Sequence, residues 1–279
     1  MNLLDLSTWP RDVLDCLRQH QSLLLEKELR DQSDVQEKLA SYKLSREDQI
    51  VRQLKAYENQ FDPAPREAVL DDLIQILSRH TLLGYHCARL TEKEIANILA
   101  EGMGLPQPSM LLSRIRAASE DGLIPKALAR RLALKHDAAN PRRKGKIWFC
   151  FYPPRPAGEA GIGSLLRYWG GEALYNSWFS DETMSALLQG VGLPAVVEAD
   201  VPAIGLSKNS FLGDHLARQY LLHKGYEITE PAVHEGFSER PLPASAIRRI
   251  HRFPERDFRL LTGCEAWRAP LDRISPPIN

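Results

Sequence analysis

The chain of 279 residues is 43% hydrophobic and 26% charged, and its 36 basic and 36 acidic side chains leave no formal net charge. That composition excludes a disordered chain and gives no global charge imbalance that would announce a partner. Cys16, Cys87, Cys150 and Cys264 are scattered, with no CxxC and no Cys/His pair at zinc spacing, which argues against a disulfide framework or a structural metal and fits a reducing cytoplasm.

The opening segment MNLLDLSTWPRDVLD lacks a basic stretch followed by an apolar run, so no secretory signal is expected. No segment reaches the roughly 18 apolar residues of a membrane-spanning helix. Residues 1–80 are rich in Leu, Glu, Gln, Arg and Asp, and apolar residues recur there at helical spacing. Val13, Leu14, Leu17, Leu24 and Leu25 mark a first helix, Ile50, Val51, Leu54 and Tyr57 a second, and Val69, Leu70, Leu73, Ile74 and Leu77 a third. Asp62-Pro63-Ala64-Pro65 separates the last two. This helical N-terminal region is expected to brace the fold or to dock a partner.

From residue 81 to 279 the texture changes to short apolar runs among capped helices and Gly/Pro loops. Strands are predicted at Leu82–Ala88, Lys146–Tyr152, Ala195–Val201, Tyr226–Thr229 and Val233–Phe237. Thr91-Glu92-Lys93-Glu94 is a capping box opening a helix that carries Ile95, Ile98 and Leu99 and ends at Gly102. Two more helices are predicted over 109–136, divided near Asp121-Gly122. The expected class is α+β, with residues 81–279 as one domain.

Three segments carry candidate chemistry. The first is Tyr85-His86-Cys87-Ala88-Arg89, a strand running into the capped helix. The second is the strand Lys146–Tyr152 followed by Arg167-Tyr168-Trp169-Gly170-Gly171-Glu172-Ala173-Leu174-Tyr175, where paired glycines permit close backbone approach to a ligand. The third is His234-Glu235-Gly236-Phe237-Ser238 with the later Ala246-Ile247-Arg248-Arg249-Ile250. In this order they resemble the ADP-ribosyltransferase superfamily, the branch holding poly-ADP-ribose polymerases, RNA 2'-phosphotransferases and DNA-modifying toxins.

The resemblance, over about residues 82–253, implies a split mixed or antiparallel β-sheet core and NAD as co-substrate. It assigns His86 to the adenosine ribose, with Tyr85, Cys87, Arg89, Trp169, Gly170, Gly171 and Glu172 around the cofactor. It assigns Tyr168 or Tyr175 to stacking on nicotinamide, and Glu235 to the catalytic carboxylate, with Glu239 and Glu198 as substitutes. A carboxylate suits that place because NAD cleavage passes through an oxocarbenium-like ribose whose growing charge it stabilises. His86 and Glu235 are expected to face one cleft.

The acceptor is expected to be nucleic acid or protein. Basic stretches at Arg130, Arg131, Lys135, Arg142–Lys146 and at Arg248, Arg249, His251, Arg252, Arg256, Arg259 favour phosphate. An antitoxin or regulatory protein would dock on the N-terminal helices. Two alternatives stand. Where the family has glycine and a hydroxyl residue, this chain has Cys87 and Ala88, which suits an inactive nucleotide- or protein-binding module. A nuclease or other hydrolase would need a metal, and metal spacing is missing. Gly-x-Ser-x-Gly, Gly-x-Gly-x-x-Gly and the P-loop pattern are all absent.

Overall fold

The computed structural model describes residues 1–30, 46, 62–206, 210–228 and 234–271. In chain order the main elements are α1 (Arg11–Gln19), α2 (helical over 21–30), α3 (Ala64–Leu77), β1 (Thr81–Leu90), α4 (Glu92–Glu101), α5 (Pro108–Glu120) and α6 (Lys126–Leu134). They continue with β2 (Ile147–Cys150), α7 (Gly158–Arg167), α8 (Glu172–Trp178), α9 (Glu182–Gly190) and β3 (Leu193–Pro202). The last are α10 (Ser210–His223), β4 (Glu235–Ser238), β5 (Ile247–Arg252) and α11 (Arg256–Thr262). The expected α+β class is observed.

The chain forms two compact units, Met1–His80 with Asn209–His234, and Thr81–Lys208 with Glu235–Asn279. The first is helical. Val13 and Leu17 of α1, Leu24 of α2, Leu73 and Leu77 of α3, and Leu216, Tyr220 and Leu221 of α10 are all buried in it. Buried charges tie the same helices together: Arg66 of α3 pairs with Asp214 of α10, and the Nε of Arg218 donates to the Glu28 carboxylate at 3.1 Å. The predicted third helix is present as α3. The predicted second helix lies outside the described residues.

Residues 209–234 therefore group with the N-terminal helices, although the sequence placed them in the domain that starts at residue 81. The cause is the amphipathic α10, which has apolar side chains and the two charges that answer Glu28 and Arg66. The strand predicted from Tyr226 is not formed over 226–228, and Thr229 lies outside the described residues.

The second unit holds a five-stranded sheet in the order β4-β2-β1-β3-β5, with every adjacent pair antiparallel. β1 and β3 pair along their whole length, from Thr81↔Pro202 to Leu90↔Leu193. Glycine at 84 permits this packing, since a Cβ there would stand 2.8 Å from Val201 Cγ2 and 3.1 Å from the Phe149 ring. β1 and β2, by contrast, meet only at Tyr85↔Cys150. The sheet thus divides into β4-β2 and β1-β3-β5, joined through one row.

Helices cover the sheet and build their own core. Leu111 and Ile115 of α5, Leu132 of α6, Leu174 and Trp178 of α8, and Met184 and Leu188 of α9 pack around Trp169. The capping box at α4 forms as predicted: the Thr91 hydroxyl accepts from the Glu94 backbone N–H, and the Glu94 carboxylate accepts from the Thr91 N–H at 2.8 Å. Among the described residues no helix is long and apolar enough to cross a membrane.

Candidate functional site

β1 places His86 where the ladder between β1 and β2 lapses. A backbone carbonyl left out of a ladder needs another donor, and the carbonyl of Trp148 receives the His86 Nδ1–H at 2.8 Å. Burial and the nearby Arg114 guanidinium hold the imidazole pKa below its ordinary value, although the Trp148 carbonyl favours the charged form. The ring is therefore neutral at pH 7, with its proton on Nδ1 and a lone pair on Nε2. Among the described residues Nε2 has no partner, so it can accept a hydroxyl proton from a ligand.

Register fixes what shares a face. Side chains of directly paired antiparallel residues point to one side of a sheet, and neighbours along a strand alternate. One row runs Glu235–Cys150–Tyr85–Glu198–Arg249 across all five strands. His86 is one residue along and projects from the opposite face, where it meets Phe149 edge-on at 5.9 Å between ring centroids. The expectation that His86 and Glu235 converge on one face is not met. The single β1/β2 pair at Tyr85 sets both directions.

On the Glu235 face, the Tyr152 hydroxyl donates to Glu235 Oε1 at 2.9 Å. Glu235 is exposed while Tyr152, Cys150, Cys87 and Tyr85 are buried beside or behind it. Burial, reinforced by the Glu235 charge, pushes the Cys150 thiol up to about 12, and burial drives the Cys87 thiol well above its ordinary value. Both sulfurs are thus protonated and inert as nucleophiles. Burial and then Glu198 raise Tyr85 to about 12. Glu198 is engaged by His251, whose Nε2 stands 2.8 Å from Glu198 Oε2, and Glu239 lies exposed just past β4.

The tyrosines form a third cluster. The Tyr168 and Tyr175 rings are 5.6 Å apart, and Phe179, two-thirds exposed, lies 6.5 Å from Tyr168. Glu172 links them to the basic loop, taking a hydrogen bond from Arg143 Nε at 2.8 Å and one from the Tyr175 hydroxyl at 3.4 Å. Burial and the Glu172 charge push the Tyr175 phenol up to about 12. Among the described residues no ring contact or hydrogen bond joins either tyrosine to His86.

Two expected ligand contacts are occupied by structure. Trp169 is fully buried in the helical core, where its indole N–H donates to Glu94 at 3.0 Å and the Arg114 guanidinium lies 5.1 Å from its ring centre. Arg89 is buried and donates to the carbonyls of Val191 and Gly192 at 2.8 and 2.9 Å, closing the turn into β3. Gly170 and Gly171 have φ of +80° and +59°, and a Cβ on Gly170 would lie 2.3 Å from Leu174 Cδ1. Their freedom serves the turn into α8.

Sequence reasoning missed Tyr152 and Arg114. Period-two alternation from Trp148 and Cys150 would have put Tyr152 on the Glu235 face. Nothing in the sequence joins Arg114 to Glu94 and Trp169, which are far away along the chain. Many cations of the basic stretches are neutralised: Arg131 by Asp181, Arg143 by Asp137 and Glu172, Arg248 by Asp200, and Arg249 by Asp257. Among the described residues no group of His, Cys, Asp and Glu could hold a metal ion. Compared with family models, curated proteins and solved structures, the chain matches none.

Proposed function

We propose that the chain transfers ADP-ribose from NAD, with the dinucleotide seated at the lapse between β1 and β2. The observation that carries this reading is the joint itself. One residue pair connects the two halves of the sheet, a neutral imidazole with an open acceptor stands at it on one face, and a hydroxyl-bound carboxylate stands two strands away on the other, so that one dinucleotide would engage both only by passing through the joint. His86 Nε2 would accept from a ribose hydroxyl. Glu235, exposed and held by the Tyr152 hydroxyl, would face the ribose whose glycosidic bond breaks. As nicotinamide leaves with the bonding electron pair, the carboxylate stabilises the cationic sugar until the acceptor's nucleophile bonds to C1'.

Incubation of the purified chain with NAD labelled in its adenylate, together with cellular RNA, DNA and protein, tests this. Release of nicotinamide with label on a macromolecule is expected. Glu235→Gln should lower turnover by about a hundredfold or more while keeping NAD affinity. No release from the wild-type chain, or full activity of the variant, would overturn the assignment.

The opposite projection of His86 and Glu235 favours a second reading, a module with this fold that binds a nucleotide without cleaving it. Its signature is NAD binding with nicotinamide never released.

A further inference from the structure

α5 and α6 present matching stripes to a shared groove. Leu112, Ile115, Arg116 and Ser119 recur at i, i+3, i+4 and i+7 on α5. Lys126, Ala129, Arg130 and Ala133 do the same on α6. Between them lies an open cavity of about 360 Å³, lined by these residues and by no carboxylate. Its floor is apolar and its rim cationic. Arg116, Lys126 and Arg130 are exposed, and among the described residues none of the three has a hydrogen-bond or ion-pair partner.

Other cations of the unit, Arg131, Arg143, Arg248 and Arg249, have carboxylates within 3 Å. Lys126 and Arg130 sit one turn apart, so their like charges repel until an anion arrives. Each stripe spans eight residues, about 10 Å of helix, the length of two turns. A phosphate backbone would answer the cations and leave Leu112 and Ala133 wet. An amphipathic helix with an apolar stripe and acidic flanks satisfies both.

We infer that the α5/α6 groove is a docking site for an acidic amphipathic helix of a partner protein. Such a helix sets its apolar side chains between Leu112 and Ala133 and its carboxylates against Arg116, Lys126 and Arg130, the helix-in-groove mode of recognition. The site is independent of the NAD reading and survives its failure.

The test uses the full chain and a fluorescent, helix-forming peptide of about 14 residues with leucines at i, i+3, i+4 and i+7 and glutamates flanking them. Anisotropy should report saturable binding that weakens with salt. It should weaken about tenfold with Arg116→Glu or Arg130→Glu, and as much when glutamine replaces the peptide's glutamates. Ala133→Trp, which fills the groove, should abolish binding with the charges intact. Because all these positions are solvent-facing or half-buried, circular dichroism should show unchanged helix. Absence of binding up to about 1 mM, equal binding of the glutamine peptide, or indifference to all three variants would overturn the inference. So would displacement of the peptide by single-stranded RNA of about 20 nucleotides at lower concentration than the peptide itself requires, which would make the groove a phosphate surface.

Discussion

Tyr152 is the side chain on which the chemistry of Glu235 depends, because its hydroxyl is the donor that fixes one carboxylate oxygen. Hydrogen bonds to charged groups contribute about 1.5–3 kcal/mol. Tyr152→Phe should therefore lower the rate of nicotinamide release about tenfold or more in single-turnover kinetics, at a cost in stability of no more than about 3 kcal/mol in a thermal melt. A second titrating residue lies in the helical unit. Burial and then the neighbouring His215 depress His234 from 6.5 to about 4. Its native form is neutral, so the unfolded chain binds the proton more readily. This contribution is whole above pH 6.5, is lost as pH falls through 4, and amounts to about 3 kcal/mol at most. Urea titrations at successive pH values should show that decline, and His234→Gln should flatten it. At this scale the sequence marks which residue types carry chemistry but not where they point. Glu235 and His86 are both present on strands, as expected, yet their facing depends on one cross-strand pair that no local pattern announces. Trp169 reads as a ligand contact because it adjoins two glycines, whereas an indole that large is the natural centre of a helical core.

Elements are legible where a local device defines them. The capping box from Thr91 to Glu94 and the proline opening of α3 fix their helices by backbone chemistry alone. The strand β5 is the converse. Its sequence Ile-Arg-Arg-Ile-His-Arg has too many cations to read as a strand, and it is formed because it lies at the edge of the sheet, where charge is tolerated and discourages further pairing. α10 shows another limit, since its assignment to the helical unit rests on ion pairs reaching across more than a hundred residues. Those pairs also predict a cost. Arg66→Met strips the partner from Asp214 and removes a second cation, 3.7 Å away, from the deeply buried Glu28, which keeps Arg218. The loss should be about 3–5 kcal/mol in a denaturant titration of the full chain, with part of it recovered in the double variant Arg66→Met/Asp214→Leu. Equal stability of the single variant and the parent would show that the network contributes nothing.

At the scale of the molecule, the chain threads through two units in alternation: helical to His80, sheet-bearing to Lys208, helical to His234, and sheet-bearing thereafter. The boundary near residue 80 is visible in composition. The return at 209–234 is not, because only tertiary pairing separates that helix from its neighbours in sequence. Within the sheet-bearing unit, the order β4-β2-β1-β3-β5 gathers segments far apart in the chain, Tyr85, Cys150 and Glu235, into one row. That row is where the proposed reaction is set. A crystal structure with an NAD analogue whose glycosidic bond is a stable C–C linkage measures this directly. The expected result is the nicotinamide-side ribose within hydrogen-bond reach of the Glu235 carboxylate, with the dinucleotide passing through the β1/β2 joint to bring the adenosine ribose to His86 Nε2. An analogue bound away from the β1/β2 joint, or none bound when it is supplied at about 1 mM, would contradict it.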